Sequence, residues 1–196
     1  MRSAVLLPTV FSSGWASGVS AYLAVLELGV LGRFFGADNV PHALTRTDVL
    51  VAAAVLYAIE FVTDKIPYVD NIWDAIHTVI RPTIGAVLGL LVAGDADTLG
   101  HAVAATTGGL TALASHLCKA AARLVLNLSP EPVTNVTASL GEDLSVATVV
   151  ALVVVTPWTA AAVSAVLLAT SVYVVWRVHR LIRRAFAKFR AHRLQP

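Results

Sequence analysis

"EFVTDKIPYVDNIWDAIHTVIRP", Glu60–Pro82, carries four acids, a lysine, a histidine, an arginine and two prolines. The chain around it is 57% hydrophobic and only 13% charged over 196 residues. A water-soluble domain has about 25% charged residues. So few charges cannot cover a water-facing surface, and the composition selects an all-α, polytopic transmembrane bundle. The charge in this segment then has to be accommodated inside the bundle or at a membrane surface.

Working outward, a membrane-crossing helix needs about 20 mostly apolar residues. Six stretches qualify: 4–34, interrupted by "SSGWASG"; 47–63; 71–94, with Pro82 inside; 99–126, with "TTGG" inside; 135–156; and 158–178. Five spans, or a re-entrant segment, is the alternative. A cleaved leader is another reading of the first residues, but the apolar pattern resumes at Ala21, which suits a broken membrane helix better. The transmembrane domain is expected over 1–178 and a basic tail over 179–196. Seven of the 14 Lys and Arg lie after Trp176, with no acid among them. The tail has apolar residues interleaved at helical spacing, as in a helix lying on the anionic inner leaflet. The positive-inside rule puts it in the cytoplasm of a cell-membrane, multi-pass protein. Six spans then place both termini there, with the "DKIPYVDN" turn, and "GDADT" outside. Arg33 and Arg46 flank an external loop in this arrangement and go against it.

Asp70, Asp74, His77 and Arg81 are spaced four, three and four, so they share one helix face. His116, Lys119 and Arg123, spaced three and four, do the same among alanines. The next helix opens with Asn135, Ser139, Glu142 and Asp143. Setting Pro67 on Pro132 aligns Asp70 with Asn135 and Asp74 with Ser139, the polarity pattern of a parallel repeat of two hairpins. These groups either form interhelical salt bridges that hold the bundle or line a site for an ion or solute. Asp70, Asp74, His77, Glu142 and Asp143 are ligand types that suit a divalent cation. Lys65, Arg81, Lys119 and Arg123, with the helix start at "SPEPVTN", suit a phosphate instead. The sign of a ligand stays open. Glu27 lies deep in the first span, where His101 or a proton would remove its cost. Cys118, the only cysteine, excludes an intrachain disulfide.

Enzyme motifs are missing: no Gly-x-Ser-x-Gly, no His-Glu-x-x-His and no glycine-rich phosphate loop. Nothing resembles a nucleic-acid module. The functions left are a small transporter or channel-like protein, a membrane scaffold or accessory subunit that docks a partner, and a lipid-phosphate flippase or enzyme. Few helices fit in this length, so a transporter of this kind is expected to be a homo-oligomer.

"EFVTDKIPYVDNIWDAIHTVIRPTIGA" and "HLCKAAARLVLNLSPEPVTNVTASLGED" together resemble a large bacterial family of small multipass membrane proteins. That family is classed as a domain of unknown function and has relatives in photosynthetic eukaryotes. The resemblance runs from "SAYL" to the basic tail. It implies Asp64, Lys65, Pro67, Asp70, Trp73, Asp74, His77, Arg81 and Pro82 from the first string. From the second it implies Lys119, Arg123, Asn127, Ser129, Pro130, Glu131, Pro132, Asn135, Ser139, Glu142 and Asp143. It brings no activity with it.

Overall fold

The computed structural model describes residues 2–127 and 132–193. Among them are seven α-helices and no strand: α1 Arg2–Val19, α2 Ala21–Phe34, α3 Thr47–Thr63, α4 Val69–Ala93, α5 Thr98–Leu126, α6 Pro132–Val155 and α7 Pro157–Arg193. A short 3-10 turn, His42–Thr45, leads into α3. Three helical stretches are long and apolar enough to cross a membrane, Val69–Ala93, Val133–Val155 and Pro157–Arg184.

The distribution of polarity is that of a protein in lipid. The largest fully buried side chains include Arg81, Arg123, His77, His116, Glu60 and Asp70. The outside is apolar: on α5 alone, Val103, Leu110, Leu117 and Leu124 recur every seven residues and are all exposed. Water-soluble proteins almost never bury Arg and Glu while exposing such a stripe. In a bilayer the arrangement is the favourable one, because charge is expensive against hydrocarbon and leucine is not.

Glycine sets how closely the central helices approach. α1, α4 and α5 cross where Gly14, Gly85 and Gly108 meet. A Cβ added at Gly14 or at Gly85 would stand 2.6 Å from the Gly108 carbonyl oxygen. Further along, Gly18 lies on the Ala112 carbonyl and Gly89 on that of Ala104. Small residues allow such backbone approach in membrane bundles, so "TTGG" serves packing. Gly108→Val is expected to cost at least the ~1–3 kcal/mol typical of overpacking, because its neighbour is backbone that cannot rotate away. Thermal unfolding in detergent reads this directly.

These contacts also fix direction. α1 runs parallel to α5, with Gly14 at Gly108 and Gly18 at Ala112, and opposite to α4. A groove of about 400 Å³ lined by Val5, Leu6, Thr9, Asp38–His42 and Leu91, Val92 and Gly94 puts the start of α1 beside the loop that follows α2. Asn39 Nδ2 donates to the Val154 carbonyl there, at 3.1 Å. The stretch 4–34 is therefore two helices that reverse on each other, not one continuous helix. α1 descends from this loop end of the bundle, the chain turns at Ser20, and α2 returns to the end it started from. The two helices form a V, with Ser20 extended (φ −146°, ψ 100°) and fully buried at its tip. The 37-residue α7 passes the tip of the V at Val174 and Val175, beside Val19, so its far end and the start of α1 lie at opposite ends of the bundle.

The remaining boundaries follow the sequence pattern. α3 occupies 47–63, and Pro82 and "TTGG" sit inside continuous helices. Tyr68 enters α4 at φ 69°, in the left-handed region that non-glycine residues rarely occupy.

Candidate functional site

The tip of the V is where the charges gather. A helix end leaves its last carbonyls without N–H partners and carries partial negative charge. At the end of α1 the Val19 carbonyl accepts from Lys119 Nζ at 3.0 Å, and that of Gly18 from Arg81 at 3.4 Å. Ser115 Oγ donates to the Trp15 carbonyl at 2.9 Å. On the other side of the break, Ser20 Oγ donates to Glu60 Oε2 at 2.6 Å. Backbone irregularity inside a membrane is tolerated where protein groups satisfy it in this way.

Arg81, which has no exposed surface, ties its own helix α4 to α1, α3 and α5. Its Nη2 donates to Glu60 Oε1 at 2.7 Å, and its Nη1 to Asp74 Oδ1 at 3.0 Å and to His116 Nδ1 at 2.9 Å. A guanidinium has donors only. His116 Nδ1 must therefore be an acceptor, the ring is neutral, and Nε2–H points to Thr78 Oγ1 at 3.1 Å. His77 gives its Nδ1–H to the Trp73 carbonyl at 2.8 Å, and its Nε2 meets the Tyr22 hydroxyl at 3.0 Å.

A second layer lies toward the turn between α3 and α4. Lys119 Nζ donates to Asp64 Oδ2 and stands 3.4 Å from Glu142. Arg123 grips Glu142 with two hydrogen bonds, donates to the Asp64 carbonyl at 2.7 Å and stands 3.7 Å from Asp70. Asp70 is held mainly by amides: Asn127 Nδ2 reaches both its oxygens, at 2.8 and 3.1 Å, and Asn135 Nδ2 lies at 3.4 Å. Lys65 Nζ donates to Ser139 Oγ at 3.1 Å and to the Phe61 carbonyl at 2.9 Å. In the turn itself, burial lowers the pKa of Lys65. Burial alone would raise that of Asp64, but the adjacent Lys119 prevails and holds it below the usual carboxylate range. Its contribution to stability is therefore complete above that range and is lost as pH falls through the lowered value.

Of the residues singled out by sequence, Asp64, Asp70, Asp74, His77, Arg81, Lys119, Arg123, Asn127, Asn135 and Ser139 are all buried in this network. Glu142 joins them from α6. Asp143 is half-buried, with one oxygen unpartnered among the described residues. Glu131, like Ser129 and Pro130, lies outside the described residues.

The proposed cation set of Asp70, Asp74, His77, Glu142 and Asp143 does not converge. Among the described residues no three His, Cys, Asp or Glu side chains form a group that could hold a metal ion. Four of the five are instead turned to other groups: Asp70 to asparagines, Asp74 to Arg81, His77 to Tyr22 and Glu142 to Arg123. Arg81 and Arg123 are likewise turned to carboxylates, a histidine and carbonyls, whereas Lys119, bonded to Asp64 and the Val19 carbonyl, also lines a cleft. His101 is no partner for Glu27; its ring bonds the Asp97 and Gly94 carbonyls, at 3.1 and 3.0 Å.

Glu60, Ser20 and Tyr22 belong to the network although no spacing rule singles them out. The available signal was Glu60 itself, the one acid of α3 beyond its first turn, which demands a buried partner.

Beside the network lies a cleft of about 390 Å³ between α1, α5, α6 and α7. Lys119 and Glu142 form its charged wall, Cys118, Gly141 and Ser145 lie next to them, and Trp15 and Leu167 line the apolar part. A family model described as "Domain of unknown function (DUF4126)" matches residues 7–177. No curated protein and no solved structure matches the chain.

Proposed function

We propose that this chain, which belongs to the DUF4126 family, is an integral membrane protein that admits a small polar solute to the cleft between α1, α5, α6 and α7. One observation carries the reading. The broken helix α1 ends on Lys119 at 3.0 Å, and the same Lys119 lines the cleft together with Glu142. Discontinuous helices that end at a buried polar cavity are how membrane transporters offer backbone charge to a substrate. A bundle that needed only internal salt bridges would have no use for an adjoining cavity with a charged wall.

In this reading α3 to α7 cross the bilayer and the α1–α2 V is re-entrant, entering and leaving at one face. The basic stretch Arg177, Arg180, Arg183 and Arg184 faces the anionic inner leaflet, with the Arg180 guanidinium 5.2 Å from the Trp176 ring centre. The start of α1 then lies on the opposite side of the cell membrane, in place of two cytoplasmic termini. The two hairpins α3–α4 and α5–α6 supply the two walls of the network. The cleft is built within one chain, so a homo-oligomer is not required to complete it.

Cys118 makes the reading testable, because the chain's only cysteine lines the cleft. The assay is osmotic swelling of proteoliposomes in urea, glycerol and glycine. The expected result is entry of at least one solute faster than into protein-free vesicles, stopped by a bulky maleimide on Cys118. Glu142→Gln should slow the same entry in a protein that stays folded. Swelling at the protein-free rate for every solute, or swelling unaffected by fully modified Cys118, would overturn the reading.

A further inference from the structure

The deeper layer of the network does not balance its charge. Arg81 alone serves two carboxylates, Glu60 at 2.7 Å and Asp74 at 3.0 Å. All three are buried, at 0%, 1% and 2% exposure for Arg81, Glu60 and Asp74. The other charged or titratable groups facing this trio are turned to other partners. His116, from α5, is kept neutral by the Arg81 hydrogen bond at its Nδ1. His77, on α4, is one turn from Asp74 and bonds Tyr22 of α2 and the Trp73 carbonyl. Lys119 is bonded to Asp64 and to the Val19 carbonyl, and Arg123 to Glu142 from α6 and the Asp64 carbonyl. Asp70, at the start of α4, adds negative charge and is itself held by Asn127.

The two carboxylates differ in how they are held. Both Glu60 oxygens accept a hydrogen bond, from Ser20 and from Arg81. Asp74 has one bonded oxygen, and its buried Oδ2 has no partner among the described residues. An ionised oxygen in that position is the costliest group in the layer, and a neutral hydroxyl there costs far less. A metal cation would need several converging oxygens, and no such group is formed among the described residues.

We propose that the Glu60/Asp74 pair is a proton-binding site in which one proton, taken from water and seated on Asp74 Oδ2, completes the charge balance around Arg81. The site is separate from the cleft and holds a proton whether or not the chain carries a solute. It gives the tip of the V two charge states. With the proton in place, Arg81 has one carboxylate to neutralise and one left as a neutral hydrogen-bond partner. Without it, Arg81 sits between two charged carboxylates at the end of α1.

The test is infrared difference spectroscopy of the full-length protein in phosphatidylcholine nanodiscs, titrated in pH and followed at the carbonyl stretch of protonated carboxyl groups. A protonated-carboxyl band at neutral pH, lost on alkalinisation and retained in Glu27→Gln, is expected. In Asp74→Asn or in Glu60→Gln, the remaining acid pairs one-to-one with Arg81 and the band should vanish. The two variants back each other if one fails to fold. Thermal stability gives a second readout. The folded wild type binds a proton that the unfolded chain has already released, so its Tm should fall as pH rises through the loss of the band. Asp74→Asn, a mimic of the protonated acid, should lose that dependence. No band in the wild type, or an undiminished band in both variants, overturns the proposal. So does a band abolished at constant pH by replacing choline with sodium, which would assign the position to a metal cation.

Discussion

Arg81→Met is expected to leave little or no folded protein. It removes the one cation that Glu60 and Asp74 share and strips the donors from His116 Nδ1 and the Gly18 carbonyl. Breaking a buried ion pair from one side costs about 3–5 kcal/mol, because the abandoned charge stays buried. Whole domains are stable by only about 5–15 kcal/mol. The size of the effect comes from the orphaned acids and not from the lost attraction. A triple variant, Arg81→Met with Glu60→Gln and Asp74→Asn, should therefore regain most of the loss. The exposed Arg46–Asp48 pair is the control: Arg46→Ala should leave Tm unchanged, since such pairs are screened by water. Yield of monodisperse protein and Tm in detergent read all three. Equal behaviour of the Arg81 and Arg46 variants would show that the buried network contributes nothing to stability.

The second large effect is all-or-none and concerns the path of the chain. Hydropathy located the helices well because it reports a sum over many residues. α3 begins and ends where the apolar run does, and the inward stripe Asp70, Asp74, His77 and Arg81 follows from spacing alone. The V did not show in the same way. One extended residue, Ser20, reverses the chain, and its own sequence neighbours differ little from a small-residue packing stretch. What holds it there comes from far away: Lys119 is 100 residues from Val19, and Arg81 is 63 from Gly18. No local window contains that information. The partners of the acids were hidden for the same reason. Asp and His at metal-like offsets look alike whether a cation or an arginine from another helix faces them. Here Arg81 of α4 faces Asp74 and Arg123 of α5 faces Glu142, while Asp70 meets asparagines and His77 meets Tyr22. Glu60 was the opposite case, conspicuous as the one acid of α3 beyond its first turn but silent about which partner it had.

The reversal at Ser20 is what brings the end of α1 onto Lys119 and Arg81, so the proposed cleft and the proton site both depend on it. Sided labelling tests it most directly. Single cysteines are placed at Ala4, Asp38 and Tyr68, all exposed positions, in a Cys118→Ala background, and cells and inverted vesicles are treated with a membrane-impermeant maleimide. With the V in place, Ala4→Cys and Asp38→Cys react from one side of the membrane and Tyr68→Cys from the other. Labelling of Ala4→Cys from the same side as Tyr68→Cys, with Asp38→Cys opposite, would make residues 4–34 a single crossing and contradict the re-entrant architecture.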